Sequence, residues 1–401
     1  MQKPKKDVIK SFPRVALLIE TSRGFGRGIL RGVIQYAKLY GPWQLYHWPG
    51  DFEQMLPNMR DWGGNGIIAR IPNSRIERAI LEAKLPVVGI TLNDEQRNPK
   101  SPCARFSEVR ADSIRAGELA AEFFLEKQLN HFAFVGEING ENWSRQRYEG
   151  FCQRLKAAGK NCMIYPPPPK FKQDWGQEVF LLGKWLNTLP KPVGLLAAMD
   201  ARGRQVIAAC DEFDIRIPGE IAVLGIDNDE LICETSQPPM SSVMLDTPRG
   251  GFLAAEMLDQ MMRGKQSEPQ CCLVPALHVV PRQSTDISLI SDEIVAEAVR
   301  FIIANSLTSS NVASVTNYMN LSRKNLEKRF KKSLGCSVLT VINQERIKRI
   351  KSLLTETNLS IQEISEKCHF DCASNLCKFF RRECKTTMKK YRQQWKMSLS
   401  E

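Results

Sequence analysis

Through the first 285 residues, short apolar runs alternate with longer stretches in which apolar residues recur every three or four positions. The longer stretches, such as GILRGVIQYAKLY and SIRAGELAAEFFLEK, predict amphipathic helices. Six short runs predict strands: VALLI (15–19), GIIA (66–69), PVVGI (86–90), FAFVG (132–136), VGLLAA (193–198) and IAVLGI (221–226). Strands that alternate with helices in this way are typical of parallel sheets with helices on both faces, so an α/β domain is predicted.

From about residue 288 the strand pattern stops and every apolar repeat is helical. The stretch 311–320 predicts a short helix that ends at Asn320, and Ser322 stands where an N-cap would begin the next helix. In that next helix Leu326 and Phe330 are four positions apart and face inward, while its Arg and Lys side chains face outward. The pattern predicts a helix-turn-helix unit, whose second helix enters the major groove of DNA.

The same layout returns about fifty residues later, in LSIQEISEKCHFDCASNLCKFFRR. Ser360 and Glu363 predict a capping box, and a turn at 369–371 leads into another basic helix. Asn320 and His369 stand at the two turns, and both side chains tolerate positive φ. Because SVLTVINQERIKRIKSLL between the units predicts one helix, we expect an all-α domain in which a rigid rod holds two helix-turn-helix units apart.

Charge supports a polyanionic partner for this second region. The net charge is +12 at pH 7, and from residue 288 onward 20 Lys and Arg face 11 Asp and Glu, against 36 and 33 before it. A basic surplus concentrated on helices is typical of nucleic-acid binding, although a basic face that is simply solvated is the alternative. We place the domain boundary near PRQSTD (281–286), with an α/β domain at 12–285 and an all-α domain at 288–395.

Over about residues 290–395 the chain resembles the AraC/XylS family of transcription regulators, through SRKNLEKRF, RIKRIKSLL, LSIQEIS and KKYR. The family pattern implies contacts with base edges from Lys324, Glu327, Lys328, Ser374, Asn375 and Lys378. Phosphate contacts, which position a protein without reading sequence, are expected from Arg323, Lys331, Arg381 and Arg382. The expected partner is therefore a double-stranded DNA operator.

Over about residues 12–285 the chain resembles the periplasmic-binding-protein-like effector domains of LacI-type repressors. The resemblance is carried by FGRGILRGV, EVRADSIRAGELAAEFF, NWSRQRYEGF, LLAAMDARGRQV and IPGEIAVLGIDNDE. It implies two lobes, one mainly from 12–108 and the other from 113–240, with crossovers near 107–112 and beyond 241, and a small sugar in the cleft between them. With both modules in this order, the chain resembles sugar-operon regulators controlled by a pentose such as xylose.

Four candidate sugar contacts are polar residues that follow predicted strands: Ser22, Arg23, Asp200 and Asp227. Phe25 and Trp143 offer aromatic faces that suit sugar C–H groups, and the resemblance adds Asp112 and Arg147. The family pattern implies direct contacts from Arg147 and Asp227. The alternative for the three aspartates is that each caps a helix, since each precedes a helical run.

Other functional classes fit the sequence less well. A dinucleotide-binding G-x-G-x-x-G that starts at Gly24 would need glycine where Ile29 stands, and no catalytic acid-base pair or nucleophile emerges, so we expect neither enzyme activity nor a cofactor. The chain has no secretory signal and no apolar run of spanning length, which favours a cytoplasmic protein without a membrane partner.

The alternative function is a redox- or metal-responsive regulator that uses the C-terminal cysteines. Cys368, Cys372, Cys377 and Cys384 follow the spacing C-x3-C-x4-C-x6-C near His369. Cysteine is also a common buried residue in helical cores, and on that ground we expect no metal site. The sequence therefore favours the hypothesis of a sugar-controlled transcription regulator. We expect it to form a homodimer through its α/β domain, and to contact RNA polymerase if it activates transcription.

Overall fold

The computed structural model describes residues 12–47, 62–137, 141–166, 175–266, 268–286, 292–305, 311–357 and 359–398. These residues form two compact units, one that ends at Asp286 and another that covers the described residues from 292 onward. The first is α/β and the second all-α, which confirms the predicted fold class. Residues 287–291, where the second domain was predicted to begin, lie outside the described ranges.

The first unit contains two six-stranded sheets, each the centre of one lobe. In spatial order the first lobe has β11 (Cys271–Val274), β5 (Ser107–Ala111), β4 (Val87–Ile90), β3 (Gly66–Ala69), β1 (Arg14–Leu18) and β2 (Gln44–His47). The second lobe has β12 (Ala276–Val280), β10 (Ser241–Leu245), β9 (Ile221–Ile226), β8 (Val193–Ala197), β6 (His131–Val135) and β7 (Cys162–Ile164). All neighbouring strands are parallel except β10 and β12. The six predicted strands are confirmed, each within one residue at either end.

Helices cover both sheets, as the alternating pattern predicted. The first lobe carries α1 (Gly24–Tyr40), α2 (Ser74–Ala83), α3 (Asp94–Arg97) and α9 (Thr247–Met262). The second lobe carries α4 (Ser113–Glu126), α5 (Asn142–Ala157), α6 (Trp175–Thr188), α7 (Asp200–Glu212) and α8 (Glu230–Thr235). The apolar strand residues between these helices are almost fully buried and form the core of each lobe.

The chain crosses between the lobes three times, once more than the sequence predicted. The crossings lie at Asp112, at Asp246 and at Pro275, which joins β11 to β12. Backbone hydrogen bonds hold them side by side, because the Asp112 N–H donates to the Val274 carbonyl (2.9 Å) and the Asp246 N–H to the Pro275 carbonyl (3.0 Å). The lobes are therefore joined by a three-stranded hinge, and α9 and β11 return the chain to the first lobe.

Glycines allow two helix pairs to approach closely. A Cβ added at Gly28 would lie 1.9 Å from the Thr247 hydroxyl oxygen, so the glycine-rich start of α1 serves to pack against α9. A Cβ at Gly117 or Gly150 would lie 2.1 or 2.0 Å from backbone oxygens of the facing helix, so α4 and α5 pack equally closely. The structure thus assigns a packing role to Gly28, one of the glycines in the stretch that resembles a dinucleotide loop.

The second unit consists of seven helices within its described residues. They are α10 (Glu293–Ala304), α11 (Val312–Tyr318), α12 (Arg323–Leu334), α13 (Val338–Glu356), α14 (Ile361–Lys367), α15 (Ala373–Cys384) and α16 (Met388–Ser398). The first half of α13 belongs to a core with Leu326 and Phe330, and its second half belongs to a core with Leu376 and Phe380. The predicted rod between two helix-turn-helix units is therefore confirmed. No helix in the described ranges has the length and apolar character that crossing a membrane requires.

The local signals predicted for this unit are present. Ser322 accepts a hydrogen bond from the Asn325 N–H at the start of α12, and Ser360 and Glu363 form a capping box. Asn320 and His369, at the two turns, adopt φ values of 50° and 52°. Both turns thus use the left-handed conformation without glycine.

The left-handed turn at His369 allows a stability test. We expect His369→Val to destabilise the second unit by about 1–2 kcal/mol, because a β-branched side chain clashes with its own backbone at positive φ. His369→Gly is the matched control and should not lower stability through this effect. Calorimetric melting of the full chain measures both, and equal melting temperatures for the two variants would contradict the interpretation.

Candidate functional site

A cleft lies between the two lobes of the first unit and encloses about 400 Å³, part of it open to solvent. Both lobes contribute to its walls. The lining residues are Glu20, Arg23, Phe25, Arg70, Thr91, Ala111, Trp143, Arg147, Met199 and Asp227. Three guanidinium groups, two carboxylates and two aromatic rings therefore meet in one small space.

Parallel strands place most of these side chains. Glu20, Arg70 and Thr91 follow the carboxyl ends of β1, β3 and β4 in the first lobe. Met199 and Asp227 follow β8 and β9 in the second lobe. The carboxyl ends of neighbouring parallel strands meet at one edge of a sheet, which is where ligands bind in open α/β folds.

An ion pair between Arg147 and Asp227 forms the wall of the second lobe. Arg147 is only 3% exposed, and its guanidinium donates to the Asp227 carboxylate (2.8 Å) and to the Ala198 carbonyl (2.5 Å). The same guanidinium lies over the Trp143 ring, 4.8 Å from the ring centroid. A buried charge needs such partners to offset its loss of hydration, so this pair fixes both side chains.

The backbone at Asp227 is held in an uncommon conformation. Asp227 has a φ of 107° and Asn228 a φ of 48°, values that L residues rarely adopt. Two hydrogen bonds maintain the turn: the Asp227 N–H donates to the Val243 carbonyl and the Asn228 N–H to the Ser242 hydroxyl, both at 3.0 Å. Strained conformations of this kind persist where neighbouring structure holds them, often at ligand sites.

Asp200 lies behind this turn and is 1% exposed. Its carboxylate accepts hydrogen bonds from the Asp229 N–H (2.6 Å) and the Ser242 hydroxyl (2.5 Å). Burial, with a further contribution from the nearby Asp227 charge, raises the pKa of Asp200 well above its usual range. Asp200 therefore supports the turn that presents Asp227.

On the first lobe, Glu20 faces the cleft and is 2% exposed. One of its oxygens accepts a hydrogen bond from Arg70 at 2.8 Å. Within the described part of the chain, its other oxygen, the Trp143 indole N–H and the Arg147 Nε–H are buried and have no hydrogen-bond partner. Three residues that line the cleft therefore carry one acceptor and two donors that no described group of the chain binds.

The structure brings together five of the eight predicted sugar contacts. Arg23, Phe25, Trp143, Arg147 and Asp227 all line the cleft. Ser22, Asp112 and Asp200 do not line it. Ser22 is exposed, and Asp200 lies behind the cleft. Of the three aspartates, only Asp112 caps its helix, where it accepts from the Arg115 N–H, so the capping alternative is wrong for Asp200 and Asp227.

Five lining residues were not predicted from the sequence: Glu20, Arg70, Thr91, Ala111 and Met199. A signal for three of them was present, since Glu20, Arg70 and Thr91 are the first polar residues after the runs VALLI, GIIA and PVVGI. Asp227 was selected because it is a polar residue directly after a strand, and the same rule applies to these three residues.

The basic side chains of α12 and α15 form the candidate DNA interface. Nine of the ten residues predicted to contact DNA are exposed: Arg323, Lys324, Lys328, Lys331, Ser374, Asn375, Lys378, Arg381 and Arg382. Glu327 is half-buried, and its carboxylate accepts a hydrogen bond from the Val338 N–H (3.3 Å) at the start of α13. Glu327 therefore has a partner within the unit, and its contact with a base stays a prediction.

The C-terminal cysteines are dispersed rather than gathered. Cys368 is buried in the second core of the unit, Cys384 is partly buried, and Cys372 and Cys377 are exposed. Among the residues that the structure describes, no group of three or more His, Cys, Asp or Glu side chains is placed to hold a metal ion. Nothing in the structure supports the metal-responsive alternative.

Comparison with known proteins covers both units. Three family models match: a XylR N-terminal domain at residues 14–105, a periplasmic binding protein-like domain at 121–285 and a helix-turn-helix domain at 315–394. The xylose operon regulatory protein of Escherichia coli K12 is 30% identical over 94% of this chain and 96% of its own length. The protein of the same name from Haemophilus influenzae is 28% identical over 96% and 99%. A solved structure of a xylose-binding transcription activator, XylR, superposes with a TM-score of 0.78 at 29% identity over 95% and 97% of the two chains.

Asp200 generates a prediction about pH. Its raised pKa means that the folded state favours the protonated acid, so the contribution of Asp200 to wild-type stability should fall as pH rises from about 4 through the folded-state pKa. Asp200→Asn mimics the protonated acid and should remove this contribution to the pH dependence. Asp200→Ala should also remove the contribution, and it should be about 1–3 kcal/mol less stable than Asp200→Asn at all pH values, because it leaves the buried Asp229 N–H unpaired. Urea denaturation between pH 4 and 8 measures all three proteins, and the same pH dependence in wild type and Asp200→Asn would show that Asp200 does not titrate in this way.

Proposed function

Because this chain belongs to the family of the xylose operon regulatory proteins, we propose that it is a transcription regulator controlled by a small sugar, a pentose such as xylose. The sugar binds in the cleft of the first unit, and the second unit binds operator DNA. The observation that carries this proposal is the Arg147–Asp227 pair, which faces a cleft with unused donors and acceptors. Two helix-turn-helix units in the same chain supply the module that would bind DNA.

The chemistry of the cleft favours a neutral sugar. A hydroxyl group can donate to the Glu20 carboxylate and also accept from the Trp143 or Arg147 N–H. The faces of Phe25 and Trp143 suit the C–H groups of a sugar ring. Although three guanidinium groups line the cleft, Arg147 is paired with Asp227 and Arg70 with Glu20, so much of their charge is already balanced. An acidic sugar would also place its carboxylate near that of Glu20.

On the DNA side, we propose that α12 and α15 are the two recognition helices. Lys324, Glu327, Lys328, Ser374, Asn375 and Lys378 are assigned to base edges, and Arg323, Lys331, Arg381 and Arg382 to phosphates. The exposure of nine of these ten side chains supports the assignment. The α13 rod, which belongs to both cores of the second unit, supports entry into successive major grooves about one helical turn apart.

Two further partners belong to the proposal. We propose that the chain forms a homodimer through its first unit, as its resemblance to LacI-type effector domains implies. We also propose contact with RNA polymerase, since the solved relative is named a transcription activator.

The sugar site is tested by Asp227→Asn. The substitution keeps the shape of the side chain and a residue type that tolerates positive φ, but it removes the negative charge. We expect the dissociation constant for the sugar to rise about tenfold or more, because hydrogen bonds to charged groups contribute about 1.5–3 kcal/mol. Calorimetric titration with xylose and other pentoses measures the change, and Asp211→Ala, at an exposed position on α7, is the matched control.

Sugar-dependent DNA binding is measured on the same variants. Asp227→Asn should retain DNA affinity without sugar and lose the response to sugar. Wild-type sugar affinity in Asp227→Asn would contradict the placement of the site.

Variants of Lys328 and Lys331 distinguish a contact with a base edge from a contact with a phosphate. With DNA that the wild-type protein selects from a random duplex pool, Lys328→Ala should lose about 1–3 kcal/mol on the selected sequence alone. Lys331→Ala should weaken binding to every sequence and reduce the slope of log affinity against log salt by about one. Fluorescence anisotropy at several salt concentrations measures both variants. The assignment fails if each variant loses equally on selected and random DNA.

A further inference from the structure

A carboxylate of the second lobe reaches the first lobe at one side of the cleft. Asp229 follows β9 and precedes α8, and its two oxygens accept hydrogen bonds from the Gly24 N–H (2.7 Å) and from the Arg27 guanidinium. Gly24 is the first residue of α1, so its N–H has no partner within the helix and lies at the positive end of the helix dipole. One side chain of the second lobe therefore binds two donors of the first.

Burial distinguishes this contact from a second one between the lobes. The Asp229 side chain is 4% exposed and that of Arg27 27% exposed. In the other contact, Asp94 of the first lobe meets Asn142 and Arg145 of the second, but the Asp94 and Arg145 side chains are 58% and 57% exposed. Exposed ion pairs contribute little free energy because water screens the two charges. A buried ion pair is costly to break, above all when its carboxylate also accepts a hydrogen bond from a backbone N–H. A third contact, from the Arg23 guanidinium to the Met199 sulfur (3.8 Å), is made to a weak acceptor. Of these three contacts between the lobes, the one at Asp229 is therefore the most costly to break.

Asp229 is also linked to the candidate sugar contact through the backbone. It stands two residues after Asp227 in the turn with positive φ at Asp227 and Asn228, and its own N–H donates to the buried Asp200 (2.6 Å). Asp227 and Asp229 therefore belong to one short turn, which Asp200 holds at the Asp229 N–H. Asp229 is absent from the cleft lining, so this coupling does not need contact with a ligand.

We propose that Asp229 is a positioning residue that sets sugar affinity by latching the two lobes closed. A sugar held by Asp227 and Arg147 on one lobe and by Glu20 on the other binds well only while the lobes are together. The apparent affinity therefore scales with the fraction of molecules in which the Asp229 latch is formed. This inference rests on the proposed function for the identity of the ligand, but the latch itself is a contact within the protein.

The test compares Asp229→Asn, Arg27→Met and their double variant with Asp94→Asn in the full-length protein. Asp229→Asn keeps an acceptor for Gly24 but loses the charge that Arg27 binds, and Arg27→Met removes the partner without altering the second lobe. We expect each to raise the dissociation constant for xylose about tenfold, with the double variant no worse than either one, because both break the same pair. Asp94→Asn, the matched control for an exposed contact between the lobes, should change the dissociation constant for xylose less than about threefold.

Hydrogen exchange provides a readout that does not depend on sugar. In ligand-free protein, the peptide that contains Gly24 should exchange faster in Asp229→Asn and Arg27→Met than in wild type, and at the wild-type rate in Asp94→Asn. Unchanged exchange at Gly24, or additive losses of affinity in the double variant, would overturn the latch. If wild type bound no sugar while the exchange pattern held, the proposed function would fail and the latch would stand.

Discussion

The cleft is organised around a guanidinium that has been almost completely removed from water. Arg147 is 3% exposed, and a buried cation is tolerated only when its hydrogen-bonding groups meet negative or strongly polar partners. Asp227 supplies the charge, and the backbone at 227–228 adopts left-handed values where it does so. Asp200 in turn holds that backbone from behind and is itself buried enough to favour its neutral form. Asp227 is thus the charged partner of the buried Arg147, and Asp200 supports the turn that places Asp227 there.

The two helix-turn-helix halves of the second unit share one core pattern but begin their second helices differently. Leu326 and Leu376, like Phe330 and Phe380, are fifty positions apart and equally buried, so the two halves share one core pattern. Their caps differ, because Ser322 accepts a hydrogen bond at the start of α12 whereas Cys372, at the same place before α15, does not. Since α15 begins without this bond, α12 and α15 are supported unequally at the ends that face the turns.

The sequence predicted what depends on local pattern and missed what depends on distant partners. The strands that it identified, such as β8 and β9, are continuous apolar runs buried on both faces, and the helices, caps and turns of the second unit follow equally local rules. It missed strands with polar residues, such as β10, where the buried Ser241 and Ser242 form hydrogen bonds with Ser284 and Asp200. Within the site, the roles of Asp200 and Asp229 follow from partners between 29 and 205 positions away, which no local pattern reveals.

The three-stranded hinge determines the order in which the protein can mature on the ribosome. The first lobe is incomplete until β11 (271–274) pairs with β5, and the second until β12 (276–280) pairs with β10. Neither lobe can therefore finish folding before nearly the whole first unit has been synthesised, and both then close within a few residues of each other. From residue 292 onward, by contrast, one core is built by residues 295–342 and another by residues 347–388. Each of these cores can therefore be completed from a shorter stretch of chain than either lobe of the first unit needs.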